Sequence, residues 1–248
     1  MRTIATTCVL VLLCSAVVSA EDLDQFLKSV EEASAVSVPL RADGSFTVAA
    51  PEGSHTDAVA LIVHPPADTY LELHQSGIKV LLLSASDTAS RFKPGASKAE
   101  DLPPAASIAD SDFTPEDLAP FRLARYQDRR ISDDTATELT VTLYPRQSQY
   151  SLLVITFDRQ KKVPIKTLYY RETVSNLVKM RRDSGHVLIG RKWVPTTVTM
   201  ETFKQRSHST FALHWTQNPS FPPELFDPVF LPHPSNIVWP APGSTPVP

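Results

Sequence analysis

The sequence predicts an α+β fold that is mostly β, built on one antiparallel meander. The main observation is a run of period-two segments in the second half. Thr137 to Tyr144 alternates Leu139, Val141 and Leu143 with Thr140 and Thr142. Val194 to Phe203 sets Val198 and Met200 against Thr197, Thr199 and Glu201. Ser209 to Thr216 sets Phe211, Leu213 and Trp215 against Thr210, Ala212 and His214. Such alternation gives each strand one apolar face and one wet face. Tyr150 to Phe157, Ile165 to Arg171 and Ser175 to Arg181 lie among them as further strands. The second observation is that helical spacing is confined to two short places.

The first of these is residues 21–36. Asp22 and Asp24 favour the helix dipole in its first turn, and Leu23, Phe26, Leu27 and Val30 make one apolar stripe. Pro39 lies beyond its end. Strand signals follow at Val59 to Val63, Tyr70 to His74 and Ile78 to Leu83, with Gln75-Ser-Gly77 as a hairpin turn. Residues 84–109, rich in Ser, Ala, Pro and Lys, read as a long surface loop. The second helix opens at Asp112-Phe-Thr-Pro-Glu-Asp-Leu118. Thr114 is an N-cap type, Pro115 suits the first helical position, and Asp117 stands three residues after the cap. Phe113 and Leu118 have the spacing of a hydrophobic staple. Pro120 keeps this helix short.

Both ends of the chain have a different composition. Arg2, the uncharged stretch Ile4 to Val18 and the small residues Val18-Ser19-Ala20 form the three parts of a secretory signal peptide. The apolar stretch is short for a membrane span. Cys14 lacks the small residues that precede a lipidated cysteine, since Leu12 and Leu13 stand there. Both cysteines, Cys8 and Cys14, fall in the leader, so cleavage after Ala20 leaves a chain without thiols. It also removes one basic residue and no acid, taking the formal charge from −3 to −4. That balance is wrong for nucleic-acid binding. At the other end, 10 of the last 30 residues are proline, and 236–248 read as an extended tail. The predicted organisation is a signal peptide at 1–20, one domain at 21–235 and a Pro-rich tail at 236–248.

The sequence holds no G-x-S-x-G elbow, H-E-x-x-H pair, phosphate loop or G-x-G-x-x-G. No cofactor and no catalytic residue is therefore assigned. His64 with His74, and His208 with His214, read as surface or turn residues, because no third ligand stands at a recognisable spacing. Asp110, Asp112, Glu116 and Asp117 could attract calcium, but capping already accounts for Asp117 and the loop lacks EF-hand spacing. The basic runs Gln127 to Arg130, Arg159 to Lys162 and Lys179 to Arg182 read as solvated faces, with a membrane-facing role as the sharper alternative. The apolar face of the meander would be core in a closed domain. In a curved open sheet it would line a hollow.

The block Ser111-Asp-Phe-Thr-Pro-Glu-Asp-Leu118, preceded by Val59 to Pro65 and Leu81 to Leu83, resembles the outer-membrane lipoprotein-sorting protein family, the LolA-like group. Tyr150 to Ile155, Pro164 to Tyr170, Lys179-Met180, Trp193-Val-Pro195, Met200, Thr210 to Leu213 and Phe226 to Leu231 resemble its later parts. The resemblance spans about residues 55–231. It implies a strongly curved antiparallel half-barrel with covering helices. Its concave face would hold acyl chains of a lipid or lipidated protein in the periplasm, with an inner-membrane exporter as a further candidate partner. On that reading Leu139, Val141, Leu143, Val198, Met200, Phe211, Leu213 and Trp215 line the ligand site, and the protein is a carrier rather than an enzyme. The alternative is a non-carrier accessory protein of a membrane transport complex. If the leader is cleaved where its small residues stand, N-terminal sequencing of the exported protein will return Glu21 as the first residue.

Overall fold

The computed structural model describes residues 20–217, 219 and 221–232. The predicted signal peptide, apart from Ala20, and the predicted tail at 236–248 lie outside the described residues. Helix α1 (Ala20–Ser34) comes first. Strands β1 (Leu40–Ala50), β2 (Gly53–His64), β3 (Asp68–Leu73), β4 (Lys79–Leu83), β5 (Thr88–Phe92) and the two-residue β6 (Glu100–Asp101) follow. A connection carrying the one-turn helix α2 (Pro115–Leu118) leads to β7 (Tyr126–Asp134), β8 (Glu138–Pro145), β9 (Leu152–Asp158), β10 (Val163–Tyr170) and β11 (Leu177–Ser184). A separate hairpin, β12 (Val187–Ile189) and β13 (Lys192–Val194), precedes β14 (Thr197–Thr202) and β15 (Ser207–Gln217). Among the described residues no helix is long and apolar enough to cross a membrane.

Thirteen strands form one antiparallel sheet in the order β6-β5-β4-β3-β2-β1-β15-β14-β11-β10-β9-β8-β7. Two meanders meet where the first strand pairs with the last, Leu40 opposite Gln217 and Phe46 opposite Phe211. The sheet does not close, and its margins are β6 and β7. It is strongly curved, because Arg125, one residue before β7, is ion-paired with Asp87, one residue before β5. In a flat sheet those strands would stand roughly 50 Å apart at ~4.8 Å per step. Both margins are unattractive to another strand: β6 is Glu100-Asp101, and β7 exposes most of Gln127 to Asp134.

The inner face carries the main core. Phe46, Val48, Val59, Leu71, Val80, Leu139, Val141, Ile155, Met200 and Phe211 are buried there together with Leu23, Phe26, Leu27 and Val30 of α1. Phe26 meets Phe157 edge-on at 5.9 Å. The outer face of β2 to β4 is covered as well. Ile62, Tyr70 and Leu81 pack with Leu225 and Leu231 of the C-terminal turns. Burial on both faces explains why Val59 to Val63 and Ile78 to Leu83 read as unbroken apolar runs.

Three expectations need correction, and two strands were not expected. The first helix is Ala20–Ser34 rather than 21–36. The stretch 84–109 is not one surface loop: it supplies β5 and β6 and buries Leu102 and Ile108. Lys179 and Arg181 do not belong to a solvated face. They share the inward parity of β11, opposite Thr202 and Met200. Finally, β1 and β7 carried too many charged and small residues to be recognised.

The 102–125 connection runs from one margin of the sheet to the other across the concave side, and buried polar groups hold it there. Thr114 and Asp117 form a reciprocal capping box: Thr114 N donates to Asp117 Oδ2 at 2.9 Å and Asp117 N to Thr114 Oγ1 at 3.4 Å. Asp117 also accepts from Tyr150 at 2.7 Å and faces Lys179 Nζ at 3.0 Å. Lys179 Nζ donates to the Asp112 carbonyl at 2.6 Å, and Arg181 to the Asp117 carbonyl at 2.6 Å. The Asp112 carboxylate accepts from Ser207 and Ser209 of β15. Between these ties Phe113 is fully buried, 5.0 Å from Phe211 and 6.3 Å from Phe46. The Asp112 and Asp117 carboxylates are thus spent on protein donors.

Two stability predictions follow from this geometry. Asp117→Ala takes from Lys179 its carboxylate partner and should cost ~3–5 kcal/mol, whereas Thr114→Ala removes the cap and the neutral hydroxyl's bonds to Asp117 and Gln149 and should cost about 1–2 kcal/mol. Adding Lys179→Met to Asp117→Ala should recover part of the loss, giving a coupling of ~1–3 kcal/mol in denaturant unfolding. Simple additivity would mean that the pair does not hold the connection. At the central seam, a Cβ on Gly44 would stand 1.9 Å from the Ala212 carbonyl oxygen, so backbone would have to move. Gly44→Ala should therefore destabilise by about 1–3 kcal/mol in the same assay.

Candidate functional site: a divided hollow on the concave face

The inner face is core along part of its length and hollow along the rest. One lobe, of about 310 Å³, lies between the end of α1, the β12–β13 hairpin and the sheet. Its apolar lining includes Leu61 and Val63 of β2, Leu153 and Ile155 of β9, and Phe121 of the connection. A second lobe, of about 750 Å³, is lined by Leu82 to Ser84, Asp87 to Ala89, Leu102 to Ala105 and Arg146 to Gln149. Glu116, Leu118, Ala119 and Pro120 border both, so the anchored connection is the partition between them. Both volumes fall in the range of small-molecule sites, roughly 300–1,000 Å³.

The eight residues expected to line a ligand site divide in two. Val198, Phe211, Leu213 and Trp215 border the smaller lobe. Leu139, Val141, Leu143 and Met200 are buried in the core and border neither lobe. Trp215 also leaves the main cluster: it packs with Val36, Leu40 and Val194, and its indole N–H donates to the Pro195 carbonyl at 2.8 Å. The alternation therefore reports facing correctly and says nothing about what covers each residue.

The histidines are not gathered. His64 lies against Phe221 and Phe226 on the outer face, while His74 stands beyond the other end of β3. His208 and His214 are exposed on β15. Among the described residues no group of three or more His, Asp, Glu or Cys side chains stands together.

Sequence reasoning missed the polar part of the lining. Arg181 donates both of its remaining nitrogens to Asp183 at 2.7 Å. Burial works against the charge of that guanidinium, but the Asp183 carboxylate keeps it firmly protonated. Burial raises the Tyr150 hydroxyl far above its ordinary range, with the Asp117 carboxylate adding to the effect, so it stays a donor. The β12–β13 hairpin brings His186, Lys192 and Trp193 to the smaller lobe. Its three-residue arms are too short to show periodicity. Burial lowers His186 and brings Lys192 down to about 8.

Comparison with solved structures places the architecture. An outer membrane lipoprotein-sorting protein domain from Vibrio parahaemolyticus superposes with a TM-score of 0.72 at 15% identity, over 81% of this chain and 94% of that one. A DUF1329 family protein from Desulfovibrio piger gives 0.67 at 16% identity, over 82% and 95%. A LolA superfamily protein from Nitrosomonas europaea gives 0.62 at 16% identity, over 82% and 96%. Among curated proteins no sequence matches this chain. A family model described as "uncharacterized protein" matches residues 74–233, well over half of the chain. The chain belongs to that family, and its fold is the LolA-like half-barrel of the lipoprotein-sorting domains.

Proposed function

We propose that this protein is an exported, periplasmic carrier that holds acyl chains of a lipid or lipidated protein in the hollow of its half-barrel. The observation that carries the reading is an apolar cavity on the concave face of a LolA-like sheet, bordered by Val198, Phe211, Leu213 and Trp215. The mechanism is reversible burial without covalent chemistry. Each CH₂ transferred from water contributes ~0.8 kcal/mol, so a long chain is held without any polar contact. Leader cleavage after Ala20 would deliver it to the periplasm, where an inner-membrane exporter is a candidate partner.

Two substitutions test the reading as a pair. Leu213→Asn puts an amide at the wall of the lobe, where water can satisfy it in the empty protein. Thermal unfolding of delipidated protein should change little, while titration with a fluorescent fatty acid should weaken ~10–100-fold. Met200→Asn puts the same amide into packed core and should cost ~2–5 kcal/mol. If the wild type binds no fatty acid, the carrier reading fails and the accessory role in a transport complex takes its place.

A further inference from the structure

We propose that Lys192 is the seat for a negatively charged head group, so that the preferred ligand is an acyl chain bearing one anionic group, a carboxylate or a phosphate monoester. This inference rests on the carrier reading and adds the ligand's chemical class. Most charged side chains around the smaller lobe have an answering group. Arg181 is paired with Asp183 at 2.7 Å and Asp117 with Lys179 at 3.0 Å. Arg125 is paired with Asp87, and Glu116 accepts from Ser148 and from the Gln149 amide. Lys192 differs: its ammonium donates to the Ser34 carbonyl at the end of α1, and among the described residues no carboxylate pairs with it.

A half-buried cation with no carboxylate partner among the described residues loses hydration and regains little from one carbonyl. Burial lowers Lys192 to about 8, so it remains mostly protonated at neutral pH. An anion reaching it through the lobe would restore the missing partner with a charge-assisted hydrogen bond. The rest of the lining suits the remainder of such a molecule. Leu153, Ile155, Phe211 and Leu213 offer apolar surface for the chain, and Trp193 borders the same lobe. The competing explanation is purely structural, a lysine capping the C-terminus of α1. That role stabilises the fold and confers no preference among ligands.

The test compares three ligands of equal chain length by isothermal titration: dodecanoic acid, dodecyl phosphate and dodecanol. The wild type should bind an anion about tenfold to a hundredfold more tightly than the alcohol. The two anionic arms distinguish a carboxylate from a phosphate as the favoured group. Lys192→Gln keeps a donor for the Ser34 carbonyl but carries no charge, and should bind all three alike. Lys192→Met repeats the test should the glutamine variant not fold. Equal wild-type affinity for acid, phosphate and alcohol overturns the seat and leaves the carrier reading standing. An anion preference that survives in Lys192→Gln overturns it as well. Binding of none of the three removes the carrier reading and this inference together.

Discussion

Asp117 is charged and fully enclosed, and the concave side of the sheet is organised around it. Its carboxylate takes hydrogen bonds from Thr114 and Tyr150 and an ion pair from Lys179. A buried carboxylate without those partners would be costly, so the donors and the acid fix one another's positions. Thr114 lies on the connection, Tyr150 just before β9 and Lys179 on β11. One side chain therefore ties the chain that crosses the opening to the floor it crosses. Asp112, held by Ser207 and Ser209, ties it a second time on β15.

The anchoring has a direct effect on the hollow. The same four residues after Pro115 stand between the two lobes, so the partition is as rigid as its buried ties. Phe113 fills the centre of the concave face against Phe46 and Phe211, and the two lobes lie to either side of the connection that carries it. The lobes are what remains of an open half-barrel after its middle has been filled by its own chain.

Much of this was legible in the sequence. The alternating strands from Thr137 onward are where the alternation places them, because each has one wet face and one apolar face. The capping box was legible because its chemistry is local: a threonine, a proline and an aspartate at fixed offsets. The partners of that box were harder to see. Lys179, Arg181, Ser207 and Ser209 sit in the same parity as buried neighbours, and that phase was the available signal; reading Lys179 to Arg182 as one charged run hid it. Strand β1 escaped because Arg41, Asp43 and Gly44 interrupt its apolar pattern, although Arg41 and Asp43 pair with each other at 2.6 Å. The division of the eight predicted lining residues into core and cavity depends on α1 and the connection. No strand encodes what packs above it.

The pairing of β1 with β15 brings Leu40 against Gln217, so the sheet's central ladder joins residues from nearly opposite ends of the described chain. Every other neighbour in the sheet is a hairpin or, at β11 and β14, the base of a short excursion. Local pairings of that kind can form as each segment becomes available, whereas the seam must wait for the last strand. A chain that folds in N-to-C order would hold β1 with one side unpaired until Ser207–Gln217 arrived. During that interval an apolar inner face and an open strand edge would be exposed together, the combination most prone to mispairing. The order of the strands thus makes the arrival of β15, rather than formation of the early hairpins, the event that completes the concave face.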